Sequence, residues 1–187
     1  PFEVMVGAVL TQNTAWPNVV KAITALREAR MLDPDPIMEA DEAELASLIR
    51  PSGYFNVKTR RLKALCQWLL SGGGISGHSE RATPELRASL LAVHGIGPET
   101  ADDILLYAFE RPIFVIDAYT RRLLLRLRLI DGDETYAELQ ELFTAAVPKE
   151  VALYNEYHAL IVRHAKERCA ATRGCRHCRV EAPFESD

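Results

Sequence analysis

Three groups of residues in this chain of 187 have the types and spacing to do chemistry. Cys169, Cys175 and Cys178 fall within ten residues of one another. Nothing in the sequence marks it as secreted, so a metal centre is a better reading of these thiols than disulfides. In the middle of the chain, His94-Gly95-Ile96-Gly97 turns between two apolar helical patterns, and Pro98 opens the second. The free N–H groups of such a helix start can hold a phosphate oxygen without any side chain. The glycines adopt backbone conformations other residues resist, and they let a polynucleotide backbone come close. Third, Asp117 follows the apolar run Ile113–Ile116 and precedes a helical pattern, the place of an N-cap aspartate. Glu99, in the first turn after Pro98, suits the positive end of its helix.

The elements that must position these groups read as helices throughout. Residues 2–13 are apolar nearly all round, which predicts a buried helix. Val19, Ala22, Ile23, Leu26 and Ala29 recur at helical spacing. Asp33-Pro34-Asp35-Pro36 reads as a break, residues 41–50 as a short acidic helix, 56–71 as a long helix holding Cys66, and 72–82 as the longest loop. Pro84 suits the first turn of a helix to about Val93. Helices follow from Pro98, from Asp117 to about Leu129, and over 134–146 and 153–168. No run alternates with period 2 for long enough to build a sheet, and no internal repeat is present, so the class is all-α.

With 48% hydrophobic and 26% charged residues, the composition is that of a globular protein. No apolar run reaches the roughly 18 residues of a membrane span, and no signal peptide is visible; no membrane partner and a cytoplasmic, nucleoid-associated location are expected. The chain begins at Pro1 inside an apolar helical pattern, so a preceding segment is expected. The net charge of −4 argues against a nucleic-acid partner, but the distribution argues for one. Residues 33–50 carry six acids and one base, whereas residues 163–179 carry six Lys/Arg against Glu167. Lys58, Arg60, Arg61 and Lys63 form a second basic cluster, and Arg121, Arg122, Arg126 and Arg128 a third. Each alone reads as a solvated helix face; together they suggest a polyanion-binding face on an acidic body.

LLAVHGIGPETADDILLYA followed by PIFVIDAYTRR resembles the helix-hairpin-helix DNA glycosylases of the endonuclease III superfamily. PFEVMVGAVLTQNT, RPSGYFNVKTRRLKAL and HAKERC…C..C extend the resemblance over almost the whole chain. It implies two lobes: a six-helix module over 1–111, and a smaller helical lobe over 112–187 carrying the Cys cluster. It implies that the hairpin, with Gly95, Gly97 and Thr100, grips a DNA phosphate, often through Na+ or K+ held by the carbonyls of Leu91, Val93 and Ile96. It makes Asp117 the catalytic carboxylate, 117 − 99 = 18 residues beyond the position where bifunctional members carry a Schiff-base lysine. Here that position is Glu99, which implies a monofunctional glycosylase using water. Gln12 and Asn13 correspond to probes of the opposite strand, Lys58 to a phosphate contact, and Arg173 to a cation facing phosphates.

Trp16, by its place at a helix boundary, reads as a core residue. The resemblance to the endonuclease III-like 3-methyladenine glycosylase branch makes it instead a platform for a flipped base. Stacking of a cationic alkylpurine on an indole would add cation–π attraction. The family's cluster pattern is C-x6-C-x2-C-x5-C, for a 4Fe–4S cluster. This chain has Cys169-x5-Cys175-x2-Cys178, with Phe184 in the fourth place. Three readings stay open: a 4Fe–4S cluster with a non-Cys ligand (His177, Glu181, Glu185 or Asp187), a zinc site using His177, or a degenerate cluster. The expected activity is excision of alkylated purines from double-stranded DNA by a monomer. The alternatives are an endonuclease III-type enzyme for oxidised pyrimidines with weak or lost lyase activity, and a non-catalytic damage-binding protein.

Overall fold

The computed structural model describes residues 1–168. Those residues form eleven α-helices and one 3-10 turn, with no strand among them. The chain divides into two compact units, Pro1–Arg111 and Pro112–Asp187.

The first unit is built on α1 (Phe2–Leu10), whose Met5, Val6, Val9 and Leu10 are fully buried. It packs against α2 (Trp16–Glu28), α5 (Phe55–Ser71) and α8 (Pro98–Tyr107). On α5, Leu62, Leu65, Cys66 and Leu69 form one buried stripe at helical spacing. α3 (Pro34–Glu39) and α4 (Glu42–Leu48) lie against this helix. Burial, with Asp33 and Asp35 nearby, pushes the Cys66 thiol up to about 12, so it is inert packing.

Two segments expected to be irregular are helical. The Pro-Asp-Pro stretch starts α3, because a proline in the first turn gives up no hydrogen bond. The glycine-rich stretch holds α6 (Gly74–Ser79), entered through Gly73 at φ 80°. Its His78 stacks on Trp68 at 3.7 Å and donates from Nε2 to the Trp68 carbonyl. With these, the 1–111 unit carries eight helices rather than six.

α7 (Thr83–Leu91) and α8 form the hairpin. Arg87 donates to both carboxylate oxygens of Asp102, at 2.7 and 3.1 Å, and Asp102 is fully buried. Removing one partner of such a pair strands a buried charge, at roughly 3–5 kcal/mol. This fork therefore fixes how the two hairpin helices meet.

In the second unit, Phe114, Val115 and Ile116 are buried in a non-helical segment. Phe114 stacks on Phe143 at 3.9 Å and meets Tyr154 edge-on. α10 (Tyr136–Ala146) holds the segment at two points. Gln140 donates to the Phe114 carbonyl at 2.7 Å, and the Ile116 amide donates to the Tyr136 hydroxyl at 3.3 Å. α9 (Ala118–Arg126) packs on α11 (Val151–Glu167). No helix of the described residues is long and apolar enough to cross a membrane.

Candidate active site and nucleic-acid interface

Asp117 is the N-cap of α9. Its Oδ1 accepts the Thr120 amide at 2.7 Å, satisfying one of the helix's free donors. Its Oδ2 faces His158 Nε2 of α11 at 3.6 Å, a charge contact longer than a hydrogen bond. Burial works to raise the Asp117 pKa. The His158 imidazole and the Thr120 amide outweigh it and hold the carboxyl below its ordinary range. The result is an ionised, partly accessible carboxylate fixed at a helix start, with 14% of its side chain exposed. It can stabilise a developing cation or accept a proton from water.

Between α7 and α8, Gly95 has φ +82°, and a Cβ there would collide with the Arg61 side chain. Both the backbone and the neighbour require glycine at this position. Gly97 differs: at φ −92° it caps α8, and among the described residues none but its chain neighbours comes within 4 Å of the place a Cβ would take. Glu99 is exposed in the first turn of α8, where the helix dipole favours a carboxylate. Of the three carbonyls expected to hold a cation, that of Val93 accepts the Ile96 amide at 3.1 Å and keeps a second lone pair.

The loop after α1 meets this hairpin directly. Gln12 Nε2 donates to the Gly95 carbonyl at 3.1 Å and to the Thr100 hydroxyl at 2.9 Å, while Arg61 donates to Gln12 Oε1. The structure thus brings together Gln12, Gly95 and Thr100, with Arg61, which the sequence shows only as one of a basic cluster. The Gln12 amide is engaged at both ends inside the protein. Asn13 is exposed at φ 53°, a left-handed conformation that asparagine tolerates.

Lys58 requires a correction. It is 1% exposed rather than facing a phosphate. Its ammonium donates to the Leu10 carbonyl at 2.8 Å, and to the Thr14 hydroxyl and Ser52 carbonyl at 2.7 Å each. Lys58 precedes Leu62 by one turn, so helical phase puts it on the buried side of α5. Burial, aided by the Arg61 charge, lowers its pKa to about 8.

Trp16 opens α2, with its ring beside Gly7 and Ile23 yet 52% exposed. A large aromatic left half in solvent departs from the core reading. Sequence reasoning missed two further residues. His158 looked like any buried residue of α11; its signal was polarity within the stripe Tyr154, His158, Ile161 and Ala165. Tyr54 is 72% exposed at φ 45°, beside Gly53 and ahead of α5, a strained place for an aromatic. Cys169, Arg173, Cys175 and Cys178 lie outside the described residues.

Residues 6–149 match the family model of the HhH-GPD superfamily base excision DNA repair proteins. A relative from Methanocaldococcus jannaschii, provisionally named a DNA repair glycosylase, is 43% identical over 183 residues, 96% of this chain and 83% of its own. Among solved structures, the H. pylori 3-methyladenine DNA glycosylase bound to 1,N6-ethenoadenine superposes with TM-score 0.77 at 32% identity, over 88% of this chain and 84% of that one. An endonuclease III in a non-covalent DNA complex gives TM-score 0.79 at 25% identity, over 92% of this chain and 77% of that one. The helical architecture, the G-x-G hairpin between α7 and α8 and the family match over most of the chain lead to one assignment: this chain belongs to the HhH-GPD superfamily of base excision DNA repair proteins, as a DNA glycosylase of the endonuclease III superfamily.

Proposed function

We propose that this glycosylase is monofunctional and excises alkylated purines such as 3-methyladenine from double-stranded DNA. The observation that carries this reading is Glu99, exposed in the first turn of α8, where bifunctional members carry the lysine. A carboxylate forms no Schiff base. Lys58 offers no replacement, since its ammonium is buried among three oxygen acceptors. Water is then the nucleophile. Its oxygen bonds to C1′ as the C1′–N bond breaks, the bond electrons leave with the base, and the water proton passes to Asp117. A cationic 3-methylpurine leaves as a neutral molecule, so the reaction needs less assistance than loss of an ordinary base. The half-exposed indole of Trp16 suits such a cation, and the H. pylori neighbour holds an ethenoadenine.

In this reading the hairpin start at Gly97 and the carbonyls of Leu91, Val93 and Ile96 hold a DNA phosphate, the carbonyls through Na+ or K+. Cys169, Cys175 and Cys178 hold a 4Fe–4S cluster whose role is structural. The enzyme acts as a monomer on the nucleoid, in the cytoplasm. The endonuclease III–DNA complex, at similar TM-score, favours a second reading, a glycosylase for oxidised pyrimidines.

Purified protein should be incubated with duplexes carrying 3-methyladenine, ethenoadenine, thymine glycol, uracil or a bare abasic site, with and without alkaline workup. Strand breaks at alkylpurines only after alkali are expected. Alkali-independent cleavage of thymine-glycol or abasic DNA would overturn the monofunctional reading in favour of the second.

A further inference from the structure

We infer that His158 is the positioning residue of Asp117, gripping one carboxylate oxygen while the start of α9 grips the other. The inference rests on the reading of Asp117 as the catalytic carboxylate. An N-cap bond alone secures only Oδ1, through the Thr120 amide at 2.7 Å. Oδ2 is the oxygen that His158 Nε2 approaches, at 3.6 Å, from a different helix. Two anchors on two packed helices fix the plane of the carboxylate.

The surroundings single out His158 for this task. It lies 8% exposed in the stripe with which α11 meets the rest of the unit, alongside Tyr154, Ile161 and Ala165. A buried imidazole is disfavoured in such a stripe unless a polar partner compensates it. The other charged and titratable groups nearby are turned elsewhere. On α9, Arg121 donates to the Glu134 carbonyl at 2.8 Å and Arg122 to the Ala165 carbonyl at 2.9 Å. From α10, the Tyr136 hydroxyl accepts the Ile116 amide. From α11, Tyr154 meets Phe114 edge-on at 5.3 Å, and burial raises its phenol so that it stays neutral. Apart from Thr120, His158 is the residue whose approach lowers the Asp117 pKa.

The arrangement needs a proton on Nε2, whether the ring is neutral or charged. The contact keeps Asp117 ionised as pH falls and keeps its orientation constant from one substrate to the next. The role is positioning, because His158 itself touches no reacting atom.

The test compares wild type with His158→Phe, which keeps a ring and loses the donor, and His158→Gln, which keeps an amide donor. Three readouts are taken: single-turnover excision against pH, duplex affinity by anisotropy, and titration of the Asp117 carboxyl by carbon-13 NMR without DNA. We expect His158→Phe to slow excision roughly ten- to a hundredfold, the loss of one charge-assisted contact. Affinity should stay unchanged. The acid limb of the rate profile and the carboxyl titration should both move to higher pH, and His158→Gln should recover most of the rate. An unmoved carboxyl titration and acid limb in His158→Phe overturn the inference. If that variant fails to fold, His158→Leu, which also lacks a donor, takes its place, and an unmoved carboxyl titration there overturns the inference as well. If wild type excises no base from any duplex while the titration moves as expected, the proposed function fails and the positioning contact stands.

Discussion

Gln12 and Thr100, 88 residues apart, are joined by a 2.9 Å hydrogen bond from the Gln12 amide to the threonine hydroxyl. A second bond from the same amide reaches the Gly95 carbonyl. The loop that follows α1 and the turn that begins α8 are therefore tied together through one side chain. Gln12→Ala would leave a carbonyl, a hydroxyl and the Arg61 guanidinium without this partner. The expected loss is about 1–3 kcal/mol of stability, with weaker binding to an abasic-analogue duplex. Urea unfolding and anisotropy titration measure the two effects. Unchanged binding in a destabilised variant would show that the loop and the hairpin act independently on DNA.

Lys58 carries a pH signature. Its pKa falls to about 8 in the fold from the ordinary 10.5. Between those values the unfolded chain binds more protons than the folded one, so this group makes stability rise as pH goes from about 8 to about 10.5. Lys58→Met should abolish that rise while lowering stability at neutral pH, because the Leu10 and Ser52 carbonyls and the Thr14 hydroxyl lose their donor. Urea midpoints at pH 7 and pH 10, wild type against variant, provide the comparison. A parallel change in both proteins would mean that Lys58 ionises as it would in water.

Asp117→Asn should separate the two roles of this residue. Asparagine caps a helix as well as aspartate does, so the melting temperature should hold and duplex affinity should be retained. Excision should fall roughly 10²- to 10⁴-fold. In wild type the carboxyl lies below its ordinary range. The folded state thus favours the ionised form, and the associated stability is lost only as pH falls through that lowered value. Single-turnover rates with an alkylpurine duplex decide the matter, and near-normal turnover by the variant would remove Asp117 from the chemistry.

The three clustered cysteines predict a coloured protein. Anaerobically purified material should contain iron and acid-labile sulfide, and Cys178→Ser should lose both along with visible absorbance. Colourless protein carrying one zinc would favour the zinc reading, and protein with neither metal a degenerate cluster.

Much of the fold was legible because its signals are local. Proline in the first turn marks the start of α8, and a capping aspartate marks the start of α9. The hairpin glycines declare a turn, and the apolar α1 declares a core helix. What escaped depended on helical phase or on distant partners. Lys58 sits among Arg60, Arg61 and Lys63 and reads as one of a basic patch. Its alignment with Leu62, Leu65 and Leu69 is what places it inside. Nothing in LTQNT reveals that Arg61 and Thr100 engage the Gln12 amide. His158 lies 41 positions beyond Asp117, 158 − 117, and only the packing of α11 on α9 brings them together.

Gly97 stands apart from Gly95. Its conformation is open to any amino acid, and its surroundings leave room for a methyl group. Among the described residues nothing therefore asks for glycine there. A requirement for glycine at position 97 would then come from what docks against the hairpin rather than from the needs of folding.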